Sequence, residues 1–332
     1  MASITKEIEM EILPFIRIYK DGSFDRLANS PIVPPSLDPD LETGVSSKDI
    51  VISQDLPISA RLYLPKLDQT HLQKLPILVY FHGGGFFFES AFSHDHHRYL
   101  NSLVAQAQAV AVSVEYRLAP EHLLPIAYED CWAALQWVAS NSIDSTTGSD
   151  CKEPWLNHAD FKRLFIGGDS AGANIVHNMA MRAGVESLPG EVKILGAFLT
   201  HPYFWGSDAI SGSEMDQPSA SHTIMNKAVP NFVWNFVYPS APGGIDNAMI
   251  NPTFPRSPSL AGLGCSRLLV TLAEMDVMRG RGVAYYDAVR KSSWEGEAEL
   301  VQVNGEDHAF HILHVYNQSA KDLIKRLASF LK

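Results

Sequence analysis

From residue 50 onward, short apolar runs alternate with stretches of helical spacing. Residues 50–53 and 60–64 alternate apolar with polar positions, as half-buried antiparallel edge strands do. Residues 77–81, 110–116, 164–167, 194–200, 268–273 and 300–303 are almost continuously apolar, the pattern of strands covered on both faces. Between them, residues 95–108, 127–140, 171–183, 281–291 and 318–331 carry apolar positions three and four apart, which predicts helices. Eight strands with helices between the later ones predict an α/β fold: a mostly parallel, doubly wound sheet with helices on both faces.

Two stretches stand outside this rhythm. Near the start, Ile8, Ile12, Leu13, Phe15 and Ile16 form an amphipathic pattern that reads as a helical arm, followed by a connector with Pro31, Pro34, Pro35 and Pro39. After His201-Pro202, residues 203–252 carry Trp205, Phe232, Trp234, Phe236 and Tyr238 without a strand signal. Open α/β sheets bind ligands beyond the carboxyl ends of their strands. An aromatic insertion leaving a strand end there either covers such a site as a cap or packs as a subdomain with its own small core. The expected organisation is a single domain over 1–332, with cap elements at about 1–46 and 203–252. The Ser/Thr/Gly-rich piece 142–149 reads as an exposed loop.

Composition narrows the partners. The chain has 332 residues, and a hydrophobic fraction of 46% is enough for a substantial core. The formal net charge of −11, with no Lys/Arg run, argues against nucleic acid and anionic membrane surfaces. Residues 1–9 are polar and acidic, unlike a signal peptide, and no apolar run reaches membrane-spanning length. Cys131, Cys151 and Cys265 match neither a zinc site nor Cys-x-x-Cys, and free thiols fit a reducing compartment. The expected location is the cytoplasm, and the expected partner a small molecule.

The candidate chemistry centres on Gly168-Asp169-Ser170-Ala171-Gly172, set between an apolar run and a helical pattern. Gly-x-Ser-x-Gly at a strand–turn–helix junction is a nucleophile elbow, whose sharp turn lifts the serine hydroxyl above the sheet. The helix N-terminus after it presents free N–H groups and a positive dipole end to developing negative charge. A second signal, His82-Gly83-Gly84-Gly85, follows the strand over 77–81. Glycines leave backbone N–H groups open to a cavity, where they hold the oxyanion formed in acyl transfer. The oxyanion set is read as Gly83, Gly84, Gly85 and Ala171, with Gly84, Gly85 and Ala171 donating and Gly83 shaping the loop.

Ser170 needs a base, because a free hydroxyl is a poor nucleophile at neutral pH. Among thirteen histidines, His308 lies just after the last strand, where a loop returns to the carboxyl edge of the sheet. Asp276, after the strand over 268–273, is the expected orienting carboxylate. Glu274 is the alternative, while Glu306 and Asp307 lie too close to His308 along the chain. His82 reads as a brace for the glycine loop. Phe86, Phe87 and Phe88 either wall an apolar pocket or join the core, and Trp205 and Trp234 are candidate substrate contacts. Arg117 and Glu121 read as part of a structural ion-pair network; Asp169 has no assigned role. No metal site is expected.

With His82-Gly83-Gly84-Gly85, residues 116–121, Gly168-Asp169-Ser170-Ala171-Gly172 and Gly305-Glu306-Asp307-His308 assembled, the whole chain resembles the plant carboxylesterases of the hormone-sensitive-lipase-like α/β-hydrolases. It is especially similar to the branch of 2-hydroxyisoflavanone dehydratases and alkaloid-forming cyclases. The resemblance implies an α/β-hydrolase fold, an N-terminal arm joining the cap, a cytosolic location and no cofactor. It departs from the branch at two positions. The dehydratases carry Thr where this chain has Ser170, which favours ester cleavage. Relatives often carry Asp where this chain has Gly280, which strengthens Asp276 as the acid. Three functions follow as expectations: a serine carboxylesterase acting on a small ester, a dehydratase or cyclase using the same site for proton abstraction, and a non-catalytic receptor. Gibberellin receptors share the fold without the base histidine; His308 is present here.

Overall fold

The computed structural model describes residues 6–28, 30–53, 55, 57–67, 73–143, 153–208 and 228–332. Eight strands form one sheet: β4 (Ser46–Ser53), β5 (Ile58–Leu64), β6 (Leu75–Phe81), β7 (Val110–Glu115), β8 (Ala159–Asp169), β9 (Ile194–Thr200), β10 (Cys265–Ala273) and β11 (Glu297–Val303). Their spatial order is β11-β10-β9-β8-β6-β7-β5-β4. Only the β4–β5 and β5–β7 pairs are antiparallel. This is an α/β-hydrolase fold, and every strand expected from the apolar pattern belongs to its sheet.

Helices α1 (His94–Ala107), α2 (Ile126–Ser140), α3 (Ala171–Ala183), α4 (Ala228–Val237), α5 (Arg279–Lys291), α6 (Phe310–Leu313) and α7 (Gln318–Phe330) complete the layers. Successive strand residues point to opposite faces, and the core divides accordingly. Ile77, Val79 and Phe81 join Leu135 of α2, Val176 of α3 and Tyr285 of α5 in one cluster. Leu78 and Tyr80 join Leu103 of α1 and Leu327 of α7 in the other. On α7 the buried Ala320, Leu323, Ile324, Leu327 and Ala328 repeat every three or four residues, forming an apolar stripe laid on the sheet.

The N-terminal arm is not the helix expected of it. It folds as an antiparallel meander of β1 (Ile8–Ile12), β2 (Ile16–Tyr19) and β3 (Phe24–Arg26). The apolar residues at 8, 12 and 16 satisfy both a helical spacing and the even period of a strand. Pro14, which lacks an N–H, and the turn at Gly22 (φ +80°) favour the strands. The insertion contains α4. Its 209–227 segment, Cys151 and the 144–149 part of the expected loop lie outside the described residues.

Parallel register brings the site together. Phe81 pairs with Gly168, Asp169 with Thr200, and Thr271 with Thr200. The segments after Phe81, Asp169, Thr200 and Ala273 therefore leave the same edge of the sheet side by side.

Candidate active site

Ser170 occupies the turn between β8 and α3 with φ 52° and ψ −115°, a conformation that L-residues adopt only when their surroundings impose it. Its N–H donates to the Thr200 carbonyl at 2.9 Å, and its own carbonyl accepts from Asn174 and Tyr203 at 3.0 Å each. The flanking glycines permit the turn. A Cβ on Gly172 would lie 1.9 Å from the Phe81 carbonyl oxygen, and one on Gly168 would lie 2.6 Å from Gly172 and from the same oxygen.

The glycine loop packs against this elbow. The Gly83 N–H donates to Asp169 Oδ1 at 3.0 Å, so Gly83 shapes the loop and its N–H is not open to the cavity. Gly84 and Gly85 have φ of +99° and +58°, and among the described residues neither N–H is engaged elsewhere. Both glycines line the cavity that Ser170 lines. Ala171, at the first helical position, has an N–H with no intrahelical partner. His82 Nδ1 lies 2.7 Å from the Gly83 carbonyl, and its ring stacks on Tyr116. Burial lowers its pKa to about 4, so His82 is a neutral brace.

His308 Nδ1 lies 2.7 Å from Asp276 Oδ2. Asp276 is buried, and its Oδ1 accepts the Met278 N–H at 2.8 Å. Burial alone would raise the carboxyl's pKa, but the charge and hydrogen bond of His308 hold it below the ordinary value. Burial likewise disfavours the imidazolium, and Asp276 outweighs it and raises His308. With Nδ1 taken, Nε2 is the nitrogen left to serve Ser170, and His308 and Ser170 line one cavity. Glu274 points elsewhere, accepting the Gly305 N–H at 2.7 Å and bracing the loop that carries His308.

Several further groups at the site carry no motif in the sequence. Asp169 Oδ1 also accepts the Tyr80 hydroxyl at 2.5 Å and lies 3.3 Å from His96 Nε2. His96 Nδ1 is 3.6 Å from Glu89. Burial works against charge on this imidazole, but the two carboxylates raise its pKa to about 10. Buried His201, at the end of β9, accepts the Ala309 N–H on Nδ1 at 3.1 Å, steadying the residue after His308. His201, Asp276 and His308 bring ligand-type atoms within 4.8 Å of one another, with His308 Nδ1 on Asp276 Oδ2 and His201 Nδ1 on the Ala309 N–H. Among thirteen histidines no spacing singled out His96 or His201; their positions at a helix start and a strand end were the available signals.

The cavity has a volume of about 560 Å³. Its walls combine Phe87 and Phe88 with Phe15 of the arm and Val229 and Val233 of α4. Phe86, Trp205 and Trp234 lie outside its lining. Phe86 is buried against Tyr128 and Tyr203. Trp234 is fully buried and donates its indole N–H to the Gly244 carbonyl. Trp205 packs beside the Arg281 guanidinium. Arg117 holds Asp130 through several hydrogen bonds, and Glu121 pairs separately with Arg26.

A serine on a strand–helix elbow, an Asp-paired histidine and a glycine loop around one cavity define the site class of an α/β hydrolase. The chain belongs to that family: residues 78–312 match the family described as the alpha/beta hydrolase fold. It is 53% identical to a 2-hydroxyisoflavanone dehydratase of Glycyrrhiza echinata, covering 98% of this chain and 97% of that one. It is 42% identical to probable carboxylesterase 2 of Arabidopsis thaliana, covering 100% of this chain and 98% of that one. Among solved structures, a hyperthermophilic esterase from the archaeon Pyrobaculum calidifontis superposes with a TM-score of 0.69 at 29% identity, covering 86% of this chain and 85% of that one. No helix among the described residues is long and apolar enough to cross a membrane.

Proposed function

We propose that the protein is a serine carboxylesterase that cleaves a small, largely apolar ester, of the kind found among plant specialised metabolites. The observation that carries this reading is the 2.7 Å contact between His308 Nδ1 and Asp276, with His308 and Ser170 on the wall of one cavity. Ser170 Oγ attacks the ester carbonyl as His308 Nε2 takes its proton, and Asp276 stabilises the imidazolium. The oxyanion is held by the N–H groups of Gly84, Gly85 and Ala171. His308 returns the proton to the leaving alcohol. It then draws a proton from water, which cleaves the acyl-enzyme and restores Ser170. Replacing Ser170 with Ala tests this: turnover of p-nitrophenyl acetate is expected to vanish, and undiminished turnover refutes it.

One observation favours a second reading, the 53% identity to a protein named 2-hydroxyisoflavanone dehydratase. In that version His308 abstracts a carbon-bound proton and the same N–H groups hold an enolate. Mass spectrometry of the products from 2-hydroxyisoflavanone separates the two readings, since loss of water marks dehydration and unchanged substrate counts against it.

A further inference from the structure

Arg26, the last residue of β3, reaches out of the meander to the loop that carries the oxyanion donors. Its Nε donates to the Phe87 carbonyl at 2.6 Å and its Nη2 to the Ala119 carbonyl at 2.8 Å. Nη1 and Nη2 also hold the Glu121 carboxylate, at 2.9 and 2.6 Å. One planar guanidinium thus meets three partners on two loops, a pattern a lysine ammonium cannot reproduce.

The loop needs such a restraint. Phe86 and Glu89 have φ of 67° and 66°, conformations that L-residues hold only under constraint. The Gly84 carbonyl accepts the N–H groups of both Phe87 and Phe88 at 3.0 Å, so displacement of Phe87 moves the glycine. Ala119, whose carbonyl Arg26 holds, donates its N–H to the Phe86 carbonyl at 2.9 Å. The neighbouring Leu27 N–H bonds the Phe15 carbonyl at 2.7 Å, and the Phe15 ring stacks on Phe88 with centroids 4.7 Å apart. Docking of Arg26 and placement of the Phe15 wall are therefore one event.

We infer that Arg26 is a positioning residue, fixing the 84–88 turn so that the Gly84 and Gly85 N–H groups keep their aim, and that Phe15 sets specificity from the same docked arm. This rests on the acyl-transfer reading. Small displacements of oxyanion donors cost transition-state stabilisation more than substrate binding, so the loss falls on kcat and not on KM.

The test compares wild type, Arg26→Ala, Arg26→Lys and Phe15→Ala on p-nitrophenyl acetate and octanoate. Arg26→Ala is expected to lower kcat about 10- to 100-fold with KM within about threefold, since one lost oxyanion donor costs about 10²–10³ and a loosened one costs less. Guanidinium chloride at low concentration restores part of the loss, and sodium chloride does not. Arg26→Lys, which keeps a charge beside Glu121, also loses roughly tenfold or more in kcat. Phe15→Ala changes the octanoate-to-acetate ratio of kcat/KM by about fivefold or more, the scale of lost apolar contact in a pocket. If Arg26→Ala melts below the assay temperature, Arg26→Lys decides. Active wild type with kcat of the Arg26 variants within about twofold, or a loss confined to KM, overturns this inference alone. A wild type that cleaves neither ester removes the acyl-transfer reading and this inference together.

Discussion

Asp169 and Gly83 are joined by a 3.0 Å hydrogen bond from the glycine N–H to the carboxylate, tying the residue before Ser170 to the first glycine of the oxyanion loop. The two halves of the site are thereby locked in register, although 86 positions separate them in sequence. The same bond occupies the Gly83 N–H, in keeping with a proposed donor set of Gly84, Gly85 and Ala171. Replacing Asp169 with Ala is expected to lower kcat on p-nitrophenyl acetate about 10²-fold, the scale of losing one aligned oxyanion donor. Asn, which can still accept from Gly83, should lose less. Steady-state kinetics of the two variants checks the order.

The Asp169–His96–Glu89 chain links stability to pH. His96 is raised to about 10, so its contribution is full below its unfolded pKa of about 6.5 and is lost as pH rises through the folded value. Asp169 is lowered, and Glu89 is lowered to about 2, so theirs is present above the unfolded carboxylate values near 4 and is lost in acid. The chain therefore stabilises most between about pH 4 and 6.5. The gap in melting temperature between wild type and His96→Gln is expected to be widest there and to shrink towards pH 10.

Asp276 raises the pKa of His308, and the proposed acyl transfer needs the neutral imidazole. Activity of the wild type should therefore fall, on acidification, at a pH above the ordinary histidine value. In Asp276→Asn the counter-charge is gone, so the acid limb of the kcat/KM profile moves to lower pH. The plateau drops by up to about 10⁴, because the imidazole loses the partner that sets its tautomer. A pH–rate profile reads both effects.

Gly172 tolerates no side chain. Its Cβ would sit 1.9 Å from the Phe81 carbonyl oxygen, backbone that cannot step aside cheaply. Gly172→Ala is expected to destabilise the fold by about 1–3 kcal/mol or more. It should also displace Ser170. Urea denaturation monitored by circular dichroism measures the first effect.

The sheet was legible because buried strands and amphipathic helices differ in period, and Ile194–Thr200 and Ala171–Ala183 ended where the pattern did. The elbow, His308 and Asp276 were legible because each closes a strand of that sheet. The arm was not, since residues 8, 12 and 16 satisfy two periods at once and only packing decides between them. The pocket walls were not, because aromatic character does not say which way a ring points. Phe87 and Phe88 face the cavity, whereas Phe86, next to them, turns into the core at positive φ. Asp169, His96 and Arg26 act through partners distant in sequence, and a single chain of letters carries no sign of those contacts.

Ser170 is the proposed nucleophile, activated by His308. Incubation with a fluorophosphonate, followed by intact-mass measurement and peptide mapping, tests it directly. One adduct on Ser170 in the wild type is predicted, forming far more slowly in His308→Ala. An unmodified Ser170 in folded protein, or an adduct on another residue alone, would contradict it.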